Sequence, residues 1–285
     1  MKQAMFYDKL DENKVKCTLC PHECSISSGN IGRCRARKNM NGELYSLNYA
    51  RLASIALDPI EKKPLFRFHP GSRILSAGTF GCNLKCAFCQ NWSISQVDAD
   101  TIELMPEELV EKAIETQKLG NIGLAYTYNE PSIWYEYILE SASLAKDRGL
   151  LNVLVTNGFI SEEPLTKLLP YIDAMNIDVK AFNSKFYQEI CKGGFESVIS
   201  TVEHAAKQCH IEITTLLIPG LNDSEKEIEE LSKWLSNISN GIPLHLTRFF
   251  PNYKMTDRPP TPVSTIYKAR DIALKWLKYV YIGNV

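Results

Sequence analysis

Arg73-Ile74-Leu75-Ser76-Ala77-Gly78-Thr79-Phe80-Gly81-Cys82-Asn83-Leu84-Lys85-Cys86-Ala87-Phe88-Cys89-Gln90-Asn91-Trp92 begins as a strand and ends as a cysteine-rich loop. Residues 73–79 are predicted as a strand: after Arg73 comes a short apolar run relieved only by small residues. Gly81 and Asn83 then favour irregular backbone, and three cysteines follow at Cys-x3-Cys-x2-Cys spacing. Outward from this point the chain alternates. Further strands are predicted near 122–126, 151–156, 173–178, 211–217 and 243–249. Helical patterns lie near 106–119, 131–148, 162–169, 195–208, 224–238 and 263–278. Pro106 opens the first helix with acids in its first turn, Gly120 follows it, and Gly149 closes the second. Repeated strand–helix alternation implies parallel pairing through right-handed crossovers, so the class is α/β. A complete or partial β/α barrel and an open doubly wound sheet both satisfy it. In β/α barrels the chemistry gathers on loops after the strands, which is where the motifs of this chain fall.

Composition bounds the function. The 285 residues carry 32 Lys+Arg against 33 Asp+Glu, a net charge of −1, which offers no general attraction for nucleic acid or an anionic membrane. Hydrophobic residues at 45% and charged residues at 23% describe a globular chain. No apolar run approaches the ~20 residues needed to cross a bilayer. The start, MKQAMFYDKLDENKVKC, lacks an apolar core and cleavage site for export, so a soluble cytoplasmic protein is expected. Nine cysteines, seven of them within the first 89 residues, then read as metal ligands or catalytic groups rather than disulfides. Residues 1–70 are expected to form a cysteine-rich, metal-binding segment ending in a connector, and 71–285 the barrel. Asp58-Pro59-Ile60-Glu61-Lys62-Lys63-Pro64-Leu65 reads as that polar, proline-bounded connector, equally a solvated linker and a segment that contacts substrate or closes the barrel mouth.

Structural zinc wants four ligands, and ordinary iron–sulfur clusters want four cysteines. Three thiolates on a four-iron cube leave one iron open. The loop from Cys82 to Cys89, with an aromatic at Phe88, resembles the signature of the radical S-adenosylmethionine (SAM) superfamily. The resemblance implies a partial (β/α)6 TIM-type barrel and a [4Fe-4S] cluster on Cys82, Cys86 and Cys89. It further implies SAM chelated to the open iron and cleaved by one electron to a 5′-deoxyadenosyl radical. Tyr126-Thr127-Tyr128-Asn129-Glu130-Pro131 resembles the family's Gly-Gly-Glu-Pro segment, with Asn129 in place of a glycine and Glu130 placed to meet the SAM ammonium. Thr156-Asn157-Gly158-Phe159 and Asp178-Val179-Lys180 resemble segments of glycyl-radical-enzyme activases that lie near SAM, although Val155 stands where those enzymes carry an acid. Ile218-Pro219-Gly220-Leu221-Asn222-Asp223 resembles their next loop. Phe88, Asn129, Glu130, Thr156, Asn157, Asp178 and Lys180 are thus the expected SAM contacts.

Cys17-x2-Cys20-x3-Cys24-x9-Cys34 supplies four more thiols, which suit zinc or a second iron–sulfur cluster, and His22 is a candidate substitute for one of them. Cys191 and Cys209 read as packing residues. His245, Arg248, Phe249 and Phe250 read equally as SAM or substrate contacts and as packing. The string Cys20-Pro21-His22-x-Cys24, the Asp58–Leu65 stretch, His69-Pro70-Gly71-Ser72 and Cys89-Gln90-Asn91-Trp92 together resemble the radical SAM member of the AmmeMemoRadiSam system, which is similar to pyruvate formate-lyase activating enzymes. That resemblance implies an electron donor such as flavodoxin or ferredoxin, Memo-like or AMMECR-like partners, and hydrogen abstraction from a glycine of a partner enzyme. A radical SAM enzyme acting on a small molecule is one alternative, and a non-catalytic iron–sulfur electron-transfer module is another.

Overall fold

A computed structural model describes residues Met1–Val285. Its centre is an eight-stranded sheet. In chain order the strands are β1 (Ser54–Pro59), β2 (Arg73–Gly78), β3 (Asn121–Tyr126), β4 (Leu151–Thr156), β5 (Ala174–Asp178), β6 (His210–Leu217), β7 (Leu244–Arg248) and β8 (Val280–Gly283). They are ordered consecutively across the sheet: β2 to β8 run parallel, and β1 lies antiparallel on β2. Helices α1 (Pro106–Glu115), α2 (Tyr135–Asp147), α3 (Glu162–Leu168), α4 (Phe195–Ala205), α5 (Glu225–Ser239) and α6 (Val263–Ala273) fill the crossovers. This is an α/β partial barrel. The expected helix ends are present. Pro106 sits in the first turn of α1, the Glu108 carboxylate accepts from the Met105 N–H, and Gly120 takes φ +87° just beyond the following short turn. Leu109, Val110 and Ala113 of α1 are buried, the i, i+1, i+4 face turned to the sheet.

Two expectations are corrected. The sheet does not end at the sixth parallel strand, because β8 adds a seventh beside β7. All four of its residues are only half-buried, so this edge strand lacks the apolar run that marks the others. The Asp58–Leu65 stretch is not a solvated connector either. Ser54–Pro59 is β1, a short turn follows over Ile60–Lys62, and Ile60 and Leu65 are fully buried against Ile74, Ala125, Val153 and Ala174 inside the barrel. The next residues are tied into the same interior. Asn176 Nδ2 donates to the Pro64 carbonyl at 2.9 Å, and the Phe66 and Arg67 N–H groups donate to Glu212 at 3.0 and 2.7 Å. Charge and proline made the segment look exposed, whereas in the fold each buried polar group finds a partner.

The amino-terminal segment is built from antiparallel strands of two to four residues, too short to show periodicity in sequence. They form two three-stranded sheets, one from Lys2–Gln3, Glu43–Ser46 and Arg37–Met40, the other from Tyr7–Lys9, Val15–Cys17 and Ser25–Ile26. An ion pair docks this segment on α2. Arg37 Nη1 lies 2.6 Å from Glu136 Oε1, with side chains 1% and 2% exposed. The Met5 N–H donates to the same oxygen at 2.8 Å, and Arg37 Nη2 donates to the Ile133 carbonyl. Burial opposes the charge of Arg37, but the Glu136 carboxylate outweighs it and holds the guanidinium protonated.

Candidate active site

The loops after β2, β3, β4 and β5 enclose a cavity of about 440 Å3 at the carboxyl ends of the parallel strands. The structure gathers Cys82, Cys86, Cys89, Phe88, Asn129, Glu130, Thr156, Asn157, Asp178 and Lys180 onto its walls. Gly81 starts the cysteine loop at φ +88°, a left-handed conformation suited to glycine, and an added Cβ would stand 2.4 Å from the Cys34 carbonyl oxygen. The Leu84 N–H and Asn157 Nδ2 both donate toward Cys82 Sγ, at 3.4 and 3.7 Å, and Cys89 Sγ lies 3.2 Å from Ser95 Oγ. Cys191, read as a packing residue, is fully buried.

These three thiols suit a cationic metal centre. Burial pushes Cys82 and Cys89 up from the ordinary thiol value; for Cys86 the neighbouring Cys191 does so first and burial second. Thiolates are therefore disfavoured here until iron compensates their charge. With three thiols on one face and donors aimed at two of them, the residues fit a cluster that keeps one iron free.

The opposite wall is polar and preorganised. Glu130 is buried at the start of the turn after β3. Its Oε1 accepts from the Ser132 N–H at 2.9 Å and from Thr156 Oγ1 at 2.7 Å, and its Oε2 accepts from the Asn157 N–H at 2.8 Å. Burial raises its carboxyl despite those donors, so an arriving cation is electrostatically welcome. Thr156 and Asn157 thus hold Glu130 as well as facing the cavity. Asn157 Nδ2 also donates to Asn83 Oδ1 at 3.0 Å, tying the β4 turn to the cysteine loop. Asn129 has a role that the glycine of the family segment could not fill. Its side chain accepts from the Thr79 N–H and donates to the Gly81 carbonyl at 2.9 Å, fixing the entry to the cysteine loop. Lys180 Nζ lies 2.9 Å from Asp178 Oδ2 and 6.0 Å from the centre of the Phe88 ring. Burial opposes its charge, but Asp178, with Cys86 and Cys191 nearby, holds the ammonium well above its ordinary range.

Lys62, Lys63 and Pro64 form part of the lining, in keeping with the reading of Asp58–Leu65 as a segment at the barrel mouth, together with Tyr128, and with Thr214, Thr247 and Asn284, which the sequence did not single out. Lys63, its side chain 3% exposed, donates to Asp58 at 2.8 Å and lies 4.6 Å from the centre of the Tyr128 ring. Tyr128 Oη donates to the same carboxylate oxygen at 2.7 Å. Burial would raise Asp58, but Lys63, Tyr128 and Lys62 bring it down to about 2. The adjacent Lys62-Lys63 pair before a proline was the available signal. His245 and Arg248 take the packing role. His245 Nε2 meets Glu212 at 2.6 Å with its ring stacked on Tyr281, and Arg248 Nε donates to the Thr261 carbonyl. Phe249 is fully buried and Phe250 is exposed under the Arg248 guanidinium.

Cys17, Cys20, Cys24 and Cys34 line a second, small cavity with His22. Burial pushes Cys17 up to about 11 and Cys20 up to about 12. Cys209 lies half-buried in the turn between α4 and β6, its thiol near the Ala205 carbonyl, as a packing residue would be. All nine cysteines are free, and no helix is long and apolar enough to cross a membrane.

The radical SAM superfamily model matches residues 77–235. An uncharacterized protein of Methanocaldococcus jannaschii is 46% identical over 291 residues, spanning 100% of this chain and 86% of the relative. A putative glycyl-radical enzyme activating enzyme of the same archaeon is 31% identical over 209 residues, 71% of this chain and 77% of the relative. Among solved structures, Streptococcus suis SuiB bound to S-adenosylmethionine matches with a TM-score of 0.59 at 12% identity. That match covers 74% of this chain and 52% of SuiB, and it speaks for the fold. With more than half of its length matched, this chain belongs to the radical SAM superfamily and is a radical SAM enzyme, a family that implies a [4Fe-4S] cluster and SAM.

Proposed function

We propose that this enzyme abstracts hydrogen from a glycine of a partner protein, as an activating enzyme does. The observation that carries the reading is the ordered set of loops facing one cavity: Cys82–Cys89, Asn129-Glu130, Thr156-Asn157 and Asp178-Val179-Lys180. The 31% identical relative named as a putative activating enzyme supports it. When bound, the cluster and SAM supply a one-electron cleavage that yields a 5′-deoxyadenosyl radical. The chain's own groups position and shield. Cys82, Cys86 and Cys89 ligate iron, and Glu130 receives the SAM ammonium. Thr156 and Asn157 hold Glu130 in place, Lys180 offers a cation toward the SAM carboxylate with Asp178 fixing it, and Phe88 keeps water from the cluster. A low-potential carrier of the flavodoxin or ferredoxin class delivers electrons. Memo-like and AMMECR-like proteins are the partners suggested by the family resemblance of Cys17–Trp92. The four amino-terminal thiols hold a second metal centre.

The test is anaerobic incubation with reductant, SAM and candidate glycyl-radical partners. About one 5′-deoxyadenosine per partner site, with an organic radical signal on the partner, supports the reading; substrate-dependent turnover with no partner protein overturns it. One observation favours that second outcome. The Lys63 ammonium gives one hydrogen bond to Asp58 and keeps donors for the cavity, which would suit a small substrate bearing a carboxylate. Turnover of such a molecule that is lost in Lys63→Met would establish it.

A further inference from the structure

We propose that the back of the cysteine loop is the docking surface for an acidic one-electron carrier, and that Arg33, Arg35, Lys85, Lys192 and Lys254 form it. The proposal rests on the radical SAM reading of Cys82, Cys86 and Cys89. Three other segments close on this loop. The Lys85 N–H donates to the Cys191 carbonyl at 2.8 Å and the Ala87 N–H to the Ile190 carbonyl at 3.2 Å, which sets Lys192 beside Lys85. The Lys254 N–H donates to the Ala87 carbonyl at 3.0 Å and brings in the loop after β7. From the amino-terminal segment, the Cys34 carbonyl lies against Gly81, and Arg33 walls the same small cavity as Asn83. Arg35 Nη1 donates to the Gln96 carbonyl, and Gln96 Nε2 donates to the Leu84 carbonyl at 3.1 Å.

Each segment brings a cation to this place. Arg33, Lys192 and Lys254 are exposed, and Arg35 and Lys85 are half-buried. Of the five, only Arg35 meets a carboxylate, that of exposed Asp98. The chain as a whole carries a net charge of −1, so cations gathered around one loop make a local field and not a general one. None of the five lines the catalytic cavity, and SAM and substrate therefore leave their charge unanswered.

Position says which partner this charge serves. A substrate must enter the cavity, whereas a carrier needs only to come close to the iron ligands. Cys86 is buried, with half-exposed Lys85 and Ala87 on either side of it. A protein seated on this surface therefore stands one residue from a ligand without obstructing the cavity. Carrier complexes are small and short-lived, at the low end of interface sizes, and complementary charge speeds their encounter more than it tightens them. A few unpaired cations facing an acidic surface meet that need. The reduced carrier loses one electron to the iron held by the loop; no bond is made or broken and no proton moves.

The test is stopped-flow reduction of the full chain, reconstituted anaerobically, by photoreduced flavodoxin, read from the visible absorption of the cluster. Wild type is compared with the double variant Lys192→Glu and Lys254→Glu, two exposed positions outside the cavity, at matched iron content. The second-order rate should fall at least tenfold in the variant. Raising salt from about 0.05 to about 0.5 M should slow the wild type steeply and the variant less. Reduction by the methyl viologen radical, a small cation, should not slow. A flavodoxin rate indifferent to the reversals, or equal slowing with both reductants, would overturn the proposal. So would an RNA duplex that binds the wild type and not the variant while the flavodoxin rate stays unchanged, which would give the surface to nucleic acid. Lysine-dependent reduction by flavodoxin in an enzyme that forms no 5′-deoxyadenosine would keep the docking surface and sink the radical reading instead.

Discussion

Glu212→Gln should loosen the floor of the catalytic cavity, and its cost can be worked out from the structure. Glu212 is fully buried on β6. Its Oε1 accepts from the Arg67 N–H at 2.7 Å and from His210 Nε2 at 3.0 Å; its Oε2 accepts from the Phe66 N–H at 3.0 Å and from His245 Nε2 at 2.6 Å. Burial alone would raise this carboxyl, but His210, His245 and the two backbone donors outweigh it and bring it from 4.5 down to about 2. At about 1.4 kcal/mol per unit, the depressed value contributes roughly 3 kcal/mol. The sign follows from the depression. The contribution is complete above the unfolded-state value near 4.5 and is lost as pH falls toward 2. Gln keeps one acceptor oxygen and turns an amide toward two donors, so it should lose about 3 kcal/mol at pH 7, a fall in Tm of roughly 6–12 °C. Near pH 3 the difference from wild type should shrink to about 1.4 kcal/mol. Urea unfolding at the two pH values measures both. A loss at pH 7 under 1 kcal/mol, or the same loss at pH 3, would refute this description of the floor. Because the tethered segment carries Lys63 and Pro64 into the cavity, faster proteolysis near Phe66 should accompany the loss.

Glu130→Gln removes the carboxylate facing the cavity and presents an amide to the Asn157 N–H; SAM affinity should fall about 10- to 150-fold, the equivalent of 1.5–3 kcal/mol, by calorimetry on the clustered enzyme. An unchanged Kd would remove Glu130 from the SAM site. Glu136→Gln leaves the Arg37 guanidinium buried without its charge partner and should cost about 3–5 kcal/mol, releasing the amino-terminal segment first, as hydrogen exchange in residues 1–50 would report. Exchange confined to α2 would contradict that order. Asn129→Gly, which restores the family residue, should loosen the cysteine loop by removing the bonds to Thr79 and Gly81. Cluster occupancy after gel filtration should drop, and full retention would show those bonds to be dispensable.

The barrel strands were legible wherever an apolar run was bounded by turn residues: 73–79, 122–126 and 151–156 each lie within a residue or two of β2, β3 and β4. The cysteine loop was legible because ligand spacing is a local property. Edge strands were not. Ser54–Pro59 alternates irregularly between exposed and buried and ends in proline, and Val280–Gly283 is half-exposed throughout. Lys63 and Glu212 look like surface charges in sequence, and partners far along the chain bury them: Tyr128 with Asp58 for the lysine, and Phe66, Arg67 and His245 for the glutamate. Asn129 resembled a defect in a glycine motif, and only the neighbouring loop shows that its amide replaces flexibility with two hydrogen bonds. In each case the missing information was a contact between segments, which spacing within one segment does not carry.

The most direct measurement is 5′-deoxyadenosine formed by anaerobically reconstituted, reduced enzyme with SAM, against Cys86→Ala prepared in the same way. Product from the wild type that vanishes in the variant is the predicted result. Wild-type enzyme with an intact, reducible cluster that forms no 5′-deoxyadenosine, or a variant that forms as much, would contradict reductive SAM cleavage at Cys82, Cys86 and Cys89.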